Sequence, residues 1–104
     1  MPELLQVLAE PRRQEILHLV WKEERAAGDI ASRVDVTFGA VSQHLRILRE
    51  AGLVTMRKQG RRRLYIANPE ALGPLAEHLQ LLWRSRLHRL KQLAEAEERR
   101  HARN

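Results

Sequence analysis

Between Thr37 and Ala67 the apolar residues change from the period of a helix to that of a strand, with only Ala51-Gly52 at the join. Val41, Leu45 and Leu48 fall at i, i+4 and i+7, one face of a helix, and Thr37 ahead of them is of a type that caps helix N-termini. Gly52 stands where such a helix stops, because glycine enters the left-handed region without a Cβ clash. From Leu53 to Lys58 the pattern alternates, with Val54 and Met56 on one face and Leu53, Thr55 and Arg57 on the other. Gln59-Gly60 is a turn signal, Arg62 to Ala67 repeats the alternation through Leu64 and Ile66, and Asn68-Pro69 ends it. The segment reads as a helix running directly into a β-hairpin.

The flanks are helical. Leu4, Leu5 and Leu8 form a short apolar patch, and Pro11 occupies a first-turn position where a missing N–H costs nothing. Ile16, Leu17, Val20 and Trp21 line one helix face, and Ala26-Ala27-Gly28-Asp29 breaks it. Ile30, Ala31 and Val34 mark a short helix, so Ile30 to Ala51 has the layout of helix, tight turn of about four residues, and longer helix. A last helix is expected from roughly Glu70 or Pro74 to about Arg100, with one stripe through Leu72, Leu75, Leu79 and Leu82 and an adjoining one through Leu79, Trp83, Leu87, Leu90 and Ala94. The expected fold is mainly α with a small β-hairpin wing, a winged helix-turn-helix in the order α-α-α-α-β-β-α, as a single domain over residues 1–104. A chain of this size buries only about two-thirds of the surface it exposes when unfolded. Its stability margin is thin, and a last helix so rich in leucine calls for a second copy.

Charge narrows the partner. Nineteen Lys+Arg oppose 13 Asp+Glu, a net charge of +6, which suits a polyanion such as nucleic acid or an anionic membrane surface. No apolar run approaches the ~20 residues of a spanning helix. The N-terminus has no basic stretch followed by an apolar core, and there is no cysteine for disulfide, thiolate metal site or thiol switch, so a cytoplasmic location is expected.

The second helix of the helix-turn-helix has a polar front of Ser42, Gln43, Arg46 and Arg49. Short polar side chains near a helix N-terminus approach base edges, and longer arginines further along reach phosphates. The lesser alternative, for that helix taken alone, is an ordinary solvated face. The hairpin adds Arg57, Lys58, Arg61, Arg62 and Arg63 around its turn, cations that repel one another unless an anion lies near. Protection of a sheet edge accounts for one or two lysines, not for a run of arginines.

Three blocks then resemble one family: Leu8-Ala9-x-Pro11-x-Arg13-x-x-Ile16-Leu17, Ala40-Val41-Ser42-x-His44-Leu45-x-x-Leu48-x-x-Ala51-Gly52-Leu53-Val54, and Gly60-Arg61-x-x-x-Tyr65. In one register over nearly the whole chain, they are similar to the ArsR family of winged-helix repressors. The resemblance implies a homodimer whose terminal helices, residues 1–10 and 70–100, pair, and whose recognition helices read successive major grooves at an operator. The chain departs from the family in two places. Phe38-Gly39 stands where members often have Gln-Ser or Gln-Pro, and Gly28-Asp29-Ile30-Ala31 replaces the Cys-x-Cys stretch of the metal-responsive branch. The zinc ligands that some members carry on the last helix are matched here by His78 alone, with Ala76, Arg89 and Gln92 at the other positions.

The expected reader of bases is therefore Phe38, Gly39, Ser42 and Gln43. Thr37, His44, Arg46, Arg49, Lys58, Arg61, Arg62 and Arg63 are expected on the DNA backbone, with His44 alternatively bridging helices. Leu4, Leu5, Leu75, Leu79, Leu82, Trp83, Leu87 and Leu90 are expected at the dimer interface. No metal or cofactor is expected, a small-molecule effector is left open, and no catalytic constellation is present. The rival readings are a winged-helix module for protein contact or non-specific nucleic-acid binding, and a peripheral membrane protein; Glu95, Glu97 and Glu98 on the last helix oppose the latter.

Overall fold

The structure is a computed structural model that describes residues 4–102, with the side chains of residues 87, 88, 101 and 102 outside the description. The expected dimer residue Leu87 therefore has no described side chain. The elements are α1 (Leu4–Leu8), α2 (Pro11–Leu19), β1 (Arg25–Ala26), α3 (Ala27–Arg33), α4 (Phe38–Glu50), β2 (Val54–Gln59), β3 (Arg62–Ala67), a 3-10 turn (Pro69–Leu72) and α5 (Leu75–Ala102). Two compact units result, one up to Gly73 and one from Pro74.

In the first unit each helix stops for a local reason. The Glu10 carboxylate caps α2 by accepting from the Arg13 N–H at 3.0 Å, with Pro11 at the first position. Arg13 and Gln14 then reach back to the free carbonyls of α1, Arg13 Nε donating to Val7 O at 2.7 Å and Gln14 Nε2 to Leu8 O. Those are the acceptors a short helix leaves unpaired at its C-terminus. Thr37 caps α4, its Oγ1 accepting from Ala40 N–H at 3.1 Å. At the other end Gly52 (φ 79°) is left-handed, Leu53 N–H donates to Leu48 O and Gly52 N–H to Arg49 O, a Schellman close.

The core of this unit is aliphatic: Ile16, Leu17 and Val20 of the α2 region, Ile30 of α3, Val41, Leu45 and Leu48 of α4, and Leu53 and Val54 at the start of the hairpin. Three features differ from the sequence expectation. The sheet has three strands in the order β1-β3-β2, because Arg25 and Ala26 pair antiparallel with Tyr65 and Leu64. Leu53 belongs to the helix close rather than to the alternating strand, which is why it is buried although Thr55 and Arg57 are exposed. The hairpin loop is Gly60–Arg61, one residue later than expected, since Gln59 pairs with Arg62. Only Gly60 has positive φ there (62°), the pattern of a II′ turn with glycine first.

The second unit is α5. Leu79 and Trp83 are buried, whereas Leu81, Leu82, Leu90 and Leu93 are exposed. Of the residues expected at a dimer interface, Leu5, Leu82 and Leu90 are exposed, Leu4 and Leu75 are half-buried, and Leu79 and Trp83 are buried in the single chain. Among the described residues no helix is long and apolar enough to cross a membrane.

Candidate nucleic-acid interface

α4 turns Val41, Leu45 and Leu48 inward and leaves Thr37, Phe38, Gly39, Ser42, Gln43, Arg46 and Arg49 exposed. Phe38 is 58% exposed, so it does not complete the core. It presents an apolar surface at the N-terminus of α4.

The hairpin brings its charges beside that face. Ser42, Arg46 and Arg49 of α4, Phe38 at its start, and Arg61, Arg62, Arg63 and Tyr65 of the hairpin line one open cleft of about 750 Å³, with Ala26–Gly28 and Leu45 completing its wall. Residues of the helix front and the hairpin tip that lie up to 25 positions apart in sequence thus face one space. Lys58 lies outside that lining but is exposed and directly opposite Arg63 across the hairpin. Like charges in direct cross-strand register destabilise a hairpin. An anion seated between them reverses the sign.

The cations do not all serve that cleft. Arg57 is engaged by Glu24 through two hydrogen bonds, Nε to Oε2 at 2.8 Å and Nη2 to Oε1 at 2.6 Å. The hydrogen bond from Arg57 holds the Glu24 carboxyl below the usual carboxylate range, against the opposing effect of burial, and Glu24 in turn raises Arg57. A bidentate pair of this kind fixes orientation as well as charge. It ties the middle of the hairpin to the chain ahead of β1. A neighbouring cluster holds β1 to α3: Arg25 donates to Leu19 O at 2.8 Å and to Asp29 Oδ2 at 3.0 Å, and Arg33 reaches Asp29 at 3.2 Å. The Arg25 hydrogen bond, the largest influence, holds the Asp29 carboxyl below its ordinary range.

His44 does not join the exposed front. Its ring is part-buried, with Nε2 4.0 Å from the Oε2 of Glu10, the residue that caps α2. The bridging alternative for His44 is thus the one its position favours. Glu10, Glu24, Arg25 and Asp29 were not singled out from the sequence. Their partners are set by chain folding, and only the short spacing of Arg25, Asp29 and Arg33 hinted at mutual contact.

The clasp has a pH signature. A depressed carboxyl contributes stability above its unfolded pKa and loses it as pH falls through the lower folded value. Wild type should therefore melt higher than Glu24→Gln near neutrality, and the two curves should converge in acid. Thermal melts across that range measure it; a gap that persists unchanged in acid would show that Glu24 acts otherwise.

Relatives of known structure and family share both this fold and this sequence pattern. Residues 10–56 match the family model described as bacterial regulatory protein, arsR family. The HTH-type transcriptional regulator Rv2034 of Mycobacterium tuberculosis is 36% identical over 92 residues, covering 88% of this chain and 86% of that protein. The chain belongs to the ArsR family. As a member it is a winged helix-turn-helix transcriptional regulator and not an enzyme. The transcriptional activator HlyU of Vibrio cholerae is 34% identical, covering 77% of this chain and 74% of that protein. Among solved structures, a possible transcriptional regulator for arsenical resistance superimposes with a TM-score of 0.68 at 38% identity, covering 88% of this chain and 96% of that one. A homodimeric winged helix-turn-helix DNA-binding domain from Mycobacterium bovis gives a TM-score of 0.65 at 32% identity, covering 74% of this chain and 71% of that one.

Proposed function

We propose that this regulator is a homodimeric, cytoplasmic repressor that binds an imperfect palindromic operator in double-stranded DNA. The observation that carries the reading is the shared cleft, in which the exposed front of α4 and the arginine tip of the wing face one space. α4 enters the major groove, where Ser42 and Gln43 meet base edges and Phe38 offers an apolar surface to a thymine methyl. Gly39 allows close approach at the helix start. Thr37, Arg46 and Arg49 flank that surface, and Lys58, Arg61, Arg62 and Arg63 follow the phosphate backbone. His44 serves as a spacer between α4 and the α2 cap rather than as a DNA contact. The whole chain acts as one functional domain, with residues 1–10 and 70–100 contributing to a dimer that sets two reading heads about 34 Å apart.

The dimer is supported by the homodimeric neighbour from Mycobacterium bovis and by leucines left exposed on α1 and α5. Repression follows where the operator overlaps a promoter. The relatives include one named as an arsenical resistance operon repressor and one named as an activator, so transcription in vitro from the selected operator decides the direction.

Selection of bound duplexes from a random pool tests the reading directly. A half-site repeated with dyad symmetry, preferred by ~10³-fold or more over random DNA, is expected. Uniform binding to all duplexes would favour a non-specific nucleic-acid module, and no binding a protein-contact module. Ser42→Ala or Gln43→Ala should each reduce operator preference by ~1–3 kcal/mol while sparing the weak binding to random DNA. If both variants keep full preference, α4 is not the reader.

A further inference from the structure

Tyr65 lines the cleft between α4 and the wing. It sits in β3, the central strand, paired with Arg25 on one side and Met56 on the other. Packing holds its ring there, since the residue is only 8% exposed. Its hydroxyl is in a different situation. Among the described residues it makes no hydrogen bond, and the polar side-chain atoms sealed off without a partner are Gln14 Oε1 and His44 Nδ1, so the Tyr65 hydroxyl keeps access to solvent. A tyrosine with a buried ring normally finds a partner for its O–H. Here a fixed ring carries an unused donor to a cleft whose other polar side chains are Ser42 and five arginines.

The strand supplies the neighbours. Side chains two apart on a strand share a face, about 7 Å from one another. Arg63 therefore stands on the same face of β3 as Tyr65, one step nearer the tip, and Lys58 stands directly opposite Arg63 on β2. Two cations in cross-strand register leave a place for one anion, and Tyr65 is the next side chain along that face.

We propose that the Tyr65 hydroxyl is a DNA-backbone contact, donating its hydrogen to a non-bridging oxygen of the phosphate that Arg63 and Lys58 attract. The cations supply the attraction and the hydroxyl supplies the direction. A phosphate between two long cationic side chains is free to shift, whereas an O–H on a ring that cannot move fixes one of its oxygens. Little side-chain entropy opposes the contact, because packing has already removed it. The contact reads no base. It sets the register of the wing on the duplex. This inference rests on the reading of the cleft as a DNA interface, and adds to it a neutral contact from the sheet that net charge does not reveal.

Tyr65→Phe in the full chain removes one oxygen and keeps the ring. A neutral donor displaces no counterion, so affinity should fall by about tenfold or more at every salt concentration, with the log-log salt slope unchanged. Operator and random duplex should lose alike. Arg63→Ala, measured beside it, should instead flatten the slope by ~0.9. The two variants separate a directional hydrogen bond from a charge contact on the same phosphate. Thermal melting of Tyr65→Phe without DNA should match wild type, because the hydroxyl has no partner within the protein. Wild-type affinity in Tyr65→Phe would overturn the proposal, and Arg63→Ala would still report whether the wing meets DNA. A loss confined to the operator would overturn it in favour of a base contact, and a lowered melting point in favour of a structural role. If wild type itself binds no duplex, the DNA reading of the cleft falls with it.

Discussion

Replacing Arg61 and Arg62 together with alanine should flatten the salt dependence of DNA binding by about 1.8 in the log-log slope, ~0.9 for each phosphate that is no longer neutralised. Binding to operator and to random duplex should fall alike, because phosphates carry no sequence. The difference from wild type should shrink at high salt, where displaced counterions no longer drive association. Arg57→Ala is the informative control. Arg57 is held by Glu24 through Nε and Nη2, one edge of its guanidinium, so its removal should disturb the hairpin and leave the slope near that of wild type. A slope unchanged in the Arg61/Arg62 variant would place the wing away from DNA.

Leu45→Ala should cost far more stability than any change on the outer face of the recognition helix. Leu45 is 1% exposed on the inner face of α4 and forms the floor of the arginine-lined cleft. Truncating a fully buried leucine costs about 2–5 kcal/mol, part transfer energy and part cavity. At about 4–8 °C per kcal/mol for a small domain, the melting point should fall by on the order of 10–30 °C. Ser42→Ala, on the outer face of the same helix, should stay within about 0.5 kcal/mol of wild type. Both melts should be taken at one protein concentration, because dimerisation couples stability to it. Equal effects at the two positions would mean that the inward and outward faces of α4 have been exchanged.

The parts of this molecule that periodicity controls are legible in the sequence alone. Val41, Leu45 and Leu48 announced the buried face of α4 and Thr37 and Gly52 its two ends, and these stand as expected. The alternation expected through Leu64 and Ile66 does not: Tyr65 and Ala67 are buried as well as Leu64, and Ile66 is half-buried, because β3 is the central strand and is covered on both faces. A two-residue strand such as β1 has no period to read, so Arg25–Ala26 passed as a break. The hairpin loop moved by one residue because a glycine in a two-residue turn fits either central position by composition, and only the pairing of Gln59 with Arg62 decides. Among the charges, local order was visible and long-range pairing was not. Arg57 looked like one more wing cation until folding brought Glu24, 33 residues away in sequence, onto its guanidinium. His44 likewise looked available to DNA until α2 brought Glu10 alongside. On α5 the leucine stripes were legible, but within them Leu79 and Trp83 are buried while Leu82 and Leu90 are exposed, a division that spacing alone does not give.

The close of α4 at Gly52 leaves only Ala51, Gly52 and Leu53 between the last turn of the recognition helix and the first residue of the wing. Two binding elements joined by a linker of almost no length behave as one bivalent ligand with a rigid tether. Once the helix is seated, the wing is held at a high effective concentration beside the phosphates, with little further ordering to oppose its docking. The converse also holds: the helix does not tilt out of the groove without lifting the wing. Within one head, the grip on bases and the grip on phosphates should therefore form and break in a single step. Release of a head from DNA should then require no unfolding of that head.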